Sequence, residues 1–119
     1  MMVWVVNDPK IGAPAFMLSD AGYDVWLGNN RGTKYGMYHT TLNNKDPKFW
    51  DFDQETMGLQ DVPANIEFIL NKTGNEKLSY IGHSEGTTQL FMASAMKPDY
   101  FFEKLNIFIA LAPIVNMKN

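Results

Sequence analysis

The most constraining feature of this chain is a serine held between two glycines, where an apolar stretch gives way to a helix-forming one. Residues 78–81 (Leu-Ser-Tyr-Ile) read as a strand and residues 87–96 as a helix, with Gly82-His83-Ser84-Glu85-Gly86 between them. The G-x-S-x-G pattern alone recurs by chance. Set directly between a strand and a helix, it has the context of a nucleophile elbow. Such a turn is sharp and strained, and a side chain at Gly82 or Gly86 is expected to collide with neighbouring backbone. The turn lifts the Ser84 hydroxyl out of the sheet edge, which makes Ser84 the candidate nucleophile. It also puts the serine at a helix N-terminus, where backbone N–H groups and the helix dipole favour an oxyanion. The Glu85 N–H is the expected donor. The alternative, an ordinary glycine turn with an incidental serine, is outweighed by the strand-turn-helix setting.

The rest of the chain alternates helical and extended segments, which predicts an α/β architecture with a mostly parallel sheet. Residues 3–6 are apolar and β-branched and read as a short strand on propensity, with Asp8-Pro9 ending the run. Residues 14–21 read as a helix that starts on Pro14 and stops before Gly22. Residues 23–27 (Tyr-Asp-Val-Trp-Leu) read as a strand running into Gly28. A polar stretch, 29–48, follows, and loops of that length are usually functional. Residues 49–71 read as helical, with Pro63 as a kink or fresh start and Asp61 as a cap for the second part. Val62, Ile66, Ile69 and Leu70 form one apolar stripe there, and Gly74 closes the helix. Lys97-Pro98 ends the helix after the elbow. The nearly continuous apolar run 106–112 fits a strand buried on both faces of a parallel sheet. No internal repeat, low-complexity tract or linker is present.

Composition excludes several functions. The 119 residues are 45% hydrophobic, enough for one core and one small domain. Ten basic residues against 13 acidic ones, without clustering, give a net charge of −3 and no nucleic-acid footprint. The absence of cysteine removes disulfides, thiolate metal sites and a cysteine nucleophile together. The N-terminal residues do not read as a signal peptide, and no apolar run approaches the length of a membrane span. The two histidines, His39 and His83, lack ligand-type spacing, so no metal site is expected. His83 adjoins Ser84 in sequence, and the elbow turns adjacent side chains apart, so it reads as a structural neighbour and not as the base. His39 reads as a solvated loop histidine.

A family resemblance rests on blocks in a fixed order. These are Asn7-Asp8-Pro9, the run 20–32 (Asp-Ala-Gly-Tyr-Asp-Val-Trp-Leu-Gly-Asn-Asn-Arg-Gly), Phe49-Trp50-Asp51-Phe52, Asp61-Val62-Pro63-Ala64, residues 82–88 and Ala110-Leu111-Ala112-Pro113. Together they resemble the acid lipases, the gastric and lysosomal lipases and related sterol-ester hydrolases, over nearly the whole chain. The resemblance implies a partial α/β-hydrolase fold, with a mostly parallel sheet and helices on both faces, forming one domain over 1–119. It implies hydrolysis of neutral lipid esters (triacylglycerol or sterol ester) through an acyl-serine at Ser84, with no cofactor. It places residues 3–6 in a loop after a strand, against their propensity. Family members commonly carry glutamine where this chain has Glu85, which brings a carboxylate near the developing oxyanion. Gly28-Asn29-Asn30-Arg31-Gly32 follows a strand end, where α/β sheets bind ligands; the favoured reading is a tight turn tied down by Arg31. Asn71-Lys72-Thr73 is an N-glycosylation sequon that fits the lysosomal or secreted setting of such relatives.

The same resemblance implies that this chain is the central segment only, without the N-terminal strands, the lid and the C-terminal strands. The triad order is Ser, then Asp or Glu, then His, and no histidine follows Ser84. The acids Glu85, Asp99 and Glu103 lie too close to the serine to sit at the end of a later strand. A further strand is expected between 23–27 and 78–81. Without it the sheet has a gap or those two strands pair directly, and the exposed edges favour self-association. Little esterase activity is expected of the isolated chain. Two other readings stand beside the lipase: a short non-catalytic relative serving as a structural or interaction subunit, and a nucleotide-binding domain using Gly28–Gly32. The spacing fits neither the dinucleotide fingerprint nor a Walker loop.

Overall fold

The computed structural model describes residues 2–7 and 12–115. Asp8 and Pro9, read above as the end of the first apolar run and as part of a family block, lie outside the described residues. Two parallel strands form the sheet, β1 (Leu78–His83) and β2 (Leu105–Leu111). They pair Tyr80 with Phe108, Ile81 with Ile109 and His83 with Leu111, with a register irregularity between Leu78 and Ser79. The crossover joining them consists of α4 (Glu85–Met96) and α5 (Pro98–Lys104). Before the sheet come α1 (Pro14–Asp20), the single turn α2 (Gln54–Thr56) and α3 (Val62–Thr73), with 3-10 turns at Met2–Trp4 and Pro47–Trp50.

The core follows from the helical stripe. Val62, Ile66 and Leu70, four residues apart on α3, are buried against Leu90 and Ala93 of α4 and Phe101 of α5. Leu78, Tyr80, Leu105 and Phe108 pack against this cluster from the sheet. Ile69, placed in the stripe on sequence, is only half-buried. The α3 C-terminus is as expected: Gly74 adopts φ 72° and its N–H donates to Leu70 O at 2.9 Å.

Several expectations fail for identifiable reasons. Residues 3–6 form no strand, against their propensity and in keeping with what the resemblance implies; Met2–Trp4 is a 3-10 turn. Residues 23–27 pair with no strand among the described residues, because β1 bonds only to β2. Tyr23, Trp26 and Leu27 are exposed, and Trp26 instead meets Phe68 of α3 edge-on at 6.0 Å. Direct pairing of that segment with β1, one of the two outcomes weighed, does not occur among the described residues. Residues 49–71 are not one helix. A 3-10 turn ends at Trp50, α2 starts at Gln54 under an Asp53 side-chain cap, and a π-helical turn spans Met57–Asp61 before Pro63 enters α3 in its first turn. Asp61 caps nothing, since its backbone is helical and its carboxylate is engaged elsewhere. Pro98 begins a helix as well as ending one; it opens α5, with Asp99 in the first turn and Lys104 in the last. The run 106–112 is not buried on both faces. Helices cover one face of the sheet, whereas Ile107, Ile109 and Leu111 on the other are exposed, Ile107 at 52%. No helix among the described residues is long and apolar enough to cross a membrane.

Candidate active site

Ser84 stands between the end of β1 and the start of α4 with φ 51° and ψ −116°. For a residue with a side chain, such a conformation costs about 1–3 kcal/mol and persists only where the surroundings over-determine it. Here hydrogen bonds fix the backbone on both sides. The Ser84 N–H donates to Leu111 O at 2.9 Å, and the Ser84 carbonyl accepts from Thr87 N at 2.9 Å. The glycines differ in their need for glycine. A Cβ at Gly82 would lie 2.9 Å from Gly86 O and 3.1 Å from Thr87 N, so β1 and α4 meet at a distance only glycine permits. At Gly86 the expected collision does not exist. A Cβ there would meet only Tyr80 Oη, at 3.8 Å.

The first two N–H groups of α4, those of Glu85 and Gly86, donate to no other group among the described residues. Two free donors at a helix N-terminus are what an anionic intermediate requires. The Glu85 side chain is exposed and lines an open depression of about 290 Å³ with Asn30, Arg31, Gly32, Trp50, Phe52 and Met57.

The loop that forms this depression is tied to the core at two points. Arg31 donates from N and Nε to the Asp61 carboxylate at 2.9 and 2.8 Å, and from Nη2 to the same carboxylate at 2.6 Å and to Gln60 Oε1 at 2.9 Å. The π-helical turn puts Gln60 and Asp61 side by side for this purpose. Asn30 Nδ2 donates to Gln89 Oε1 at 2.8 Å, and Gln89 Nε2 approaches Met57 Sδ at 3.7 Å. Gln89 is 1% exposed, so both ends of a buried amide are engaged. Arg31 therefore acts as the tie favoured on sequence, and its guanidinium is spent on the π-helical turn that precedes α3.

Neither histidine serves Ser84. The exposed His83 ring lies edge-on to Trp4 at 6.5 Å. His39 Nδ1 accepts from Thr41 N at 3.1 Å and Leu42 N at 3.0 Å, so the ring caps its own turn. Beneath the elbow, Tyr80 Oη donates to Gly86 O at 3.3 Å, and burial pushes its phenol up to about 12. No cluster of three or more potential metal ligands occurs among the described residues. Asn30 stands in the run 28–32 that the sequence places beside a ligand-binding strand end, whereas the parts of Asp61, Thr87 and Gln89 in the site's framework are not read from the sequence. Only Thr87, a hydroxyl residue in the first turn after the elbow, carried a local signal.

Comparison with known proteins gives a consistent set. The model of the alpha/beta hydrolase fold matches residues 14–101. Lipase member K of Homo sapiens is 46% identical over 115 residues, covering 97% of this chain and 28% of that protein. The gastric triacylglycerol lipase of Bos taurus is 45% identical, with the same coverage of both chains. The lysosomal acid lipase/cholesteryl ester hydrolase of Macaca fascicularis is 44% identical over 116 residues, covering 96% of this chain and 28% of that protein. The chain thus spans 28% of the length of these three relatives.

Proposed function

The chain belongs to the alpha/beta hydrolase fold family, and on that premise we propose that it is the nucleophile-bearing segment of a lipid ester hydrolase of the acid-lipase type. The observation that carries the reading is the strained Ser84 backbone at the β1–α4 junction, with unspent N–H groups directly after it. Ser84 Oγ attacks the ester carbonyl, and the Glu85 N–H takes the charge that develops on the carbonyl oxygen. The alcohol leaves, and water then releases the acid from the acyl-serine. The substrate class is a neutral lipid ester, triacylglycerol or sterol ester, as the names of the relatives suggest. No cofactor takes part.

The proton on Ser84 needs a base, and neither His39 nor His83 is placed to accept it. The 119 residues by themselves are therefore expected to turn over esters poorly, with only the slow residual catalysis that donors and binding supply. Residues 1–119 form a single partial domain in this reading. The apolar sheet face with Ile107, Ile109 and Leu111 is where self-association or a partner is expected. A lysosomal or secreted setting fits the relatives, with a glycan on Asn71, which is exposed near the end of α3.

Hydrolysis of emulsified triacylglycerol or cholesteryl ester by the natural protein tests the reading. Activity that disappears in Ser84→Ala supports it, and activity that survives the substitution sinks it. The second reading, a non-catalytic interaction subunit, draws on the exposed sheet face and the unattended serine. It is favoured if the natural protein is catalytically silent yet isolates as a stable complex.

A further inference from the structure

Among the described residues, the two non-glycine positions with positive φ are Ser84 at 51° and Ala112 at 48°. Each stands one residue beyond the last pair of the ladder, His83 with Leu111, so the two strained residues are neighbours across the carboxyl end of the sheet. Ala112 opens a turn that α4 grips through one residue. Ile114 N–H donates to Thr87 Oγ1 at 3.1 Å, and Ile114 O accepts from Thr88 Oγ1 at 2.8 Å. The Thr87 hydroxyl gives its own proton to Ser84 O at 2.6 Å. A hydroxyl has one proton and lone pairs to accept with, so the two Thr87 bonds are compatible. Thr87 is fully buried, which excludes water as a substitute partner.

Ser84 C=O and Glu85 N–H belong to one planar peptide unit. Whatever holds the carbonyl also aims the N–H on its opposite side. We propose that Thr87 is a positioning residue whose hydroxyl orients the Glu85 N–H toward the reacting oxygen and ties that orientation to the turn after β2. The inference rests on the reading of Ser84 as nucleophile and Glu85 N–H as oxyanion donor. Thr87 touches no substrate; it acts through the peptide it pins. A misaimed donor weakens the transition state without altering ground-state binding, so the signature is a fall in kcat at constant KM.

The test measures kcat and KM of the natural protein on a p-nitrophenyl ester, with Thr87→Val and Thr87→Ser. Loss of a whole oxyanion donor costs about 100- to 1,000-fold. Misdirection by Thr87→Val is expected to cost about 10- to 100-fold in kcat, with KM within about twofold, and Thr87→Ser to stay within about threefold of the parent. A Thr87→Val enzyme with parental kcat overturns the proposal, as does a serine variant as impaired as the valine one. If the valine variant does not fold, Thr87→Ala against Thr87→Ser isolates the same hydroxyl, and equal kcat values overturn the proposal. A parent whose turnover is unaffected by Ser84→Ala marks a different failure: the nucleophile reading itself falls, and this inference with it.

Discussion

Replacing Gly82 and Gly86 separately with alanine probes the elbow directly, because the two glycines look equivalent in the motif and differ in the structure. A methyl at Gly82 would stand 2.9 Å from Gly86 O, 3.0 Å from Gly86 C and 3.1 Å from Thr87 N. Carbon makes favourable contacts at about 3.5 Å or more, so the worst of these is short by roughly 0.6 Å. All three atoms are backbone and cannot rotate away. Relief requires β1 and α4 to separate, and forced overpacking of this kind costs about 1–3 kcal/mol. With only backbone to move, the upper end, about 3 kcal/mol, is expected. A methyl at Gly86 meets one atom, at 3.8 Å, which is ordinary contact. Gly86 lies in α4 and is not among the positive-φ glycines, so alanine there gains up to about 1 kcal/mol of helix propensity. The two variants are expected to differ by about 3–4 kcal/mol. At a slope of roughly 2 kcal/mol per molar urea, their unfolding midpoints separate by nearly 2 M. Urea unfolding followed by tryptophan fluorescence reads this. Equal midpoints for the two variants would refute the geometry from which the reasoning starts.

Ser84→Gly removes the side chain from a strained backbone and is expected to raise stability by about 1 kcal/mol, strain relief of about 1–3 kcal/mol less the entropic cost of glycine; calorimetric melting reads it, and a lower melting temperature contradicts it. Asp61→Ala leaves the Arg31 guanidinium with Gln60 as its hydrogen-bond partner and removes one of the two ties on the Asn30–Thr33 loop, the Asn30–Gln89 bond remaining. Because the Arg31 side chain is 33% exposed and Asp61 11%, the loss should be about 2 kcal/mol, below that of a fully buried pair; a change under about 0.5 kcal/mol in urea unfolding would show the pair to be ornamental. Tyr80 is raised from 10.0 to about 12 by burial, so the folded state keeps its phenol protonated while the unfolded chain ionises. Its stabilising contribution is complete below about pH 10 and is lost as pH rises toward about 12, a fall of about 3 kcal/mol that Tyr80→Phe should abolish. An alkaline stability profile identical in the phenylalanine variant would exclude Tyr80 as its source.

The parts of the fold legible in the sequence are those fixed locally. The strand at 78–81, the helix after the elbow and the Gly74 stop each declare themselves through neighbouring residues, and all three stand in the structure within a few residues. The failures share one cause, dependence on distant partners. Residues 23–27 have strand composition, but a strand is defined by its neighbour, and among the described residues β1 pairs only with β2. Asp61 looks like a cap because it precedes Val62-Pro63, yet its carboxylate goes to Arg31, thirty positions away. Asn30 and Gln89 are separated by 59 positions, and nothing near either one announces the bond. Lys97-Pro98 does end α4 as its sequence indicates, but nothing local announces the helix that the same proline opens, since proline ends one helix and opens another equally well. The serine itself was visible because the elbow packs its whole logic into five residues. The framework that holds it is drawn from positions between Asn30 and Ile114, far apart in the sequence, and is not.

Reaction of the natural protein with a fluorophosphonate probe, followed by intact mass and peptide mapping, tests the central claim most directly. A single probe adduct mapped to Ser84, absent in Ser84→Ala, is the result predicted for a nucleophilic serine on a strained backbone beside free N–H donors. A folded protein that takes no probe, or takes it at another residue, would contradict the assignment of Ser84 as nucleophile.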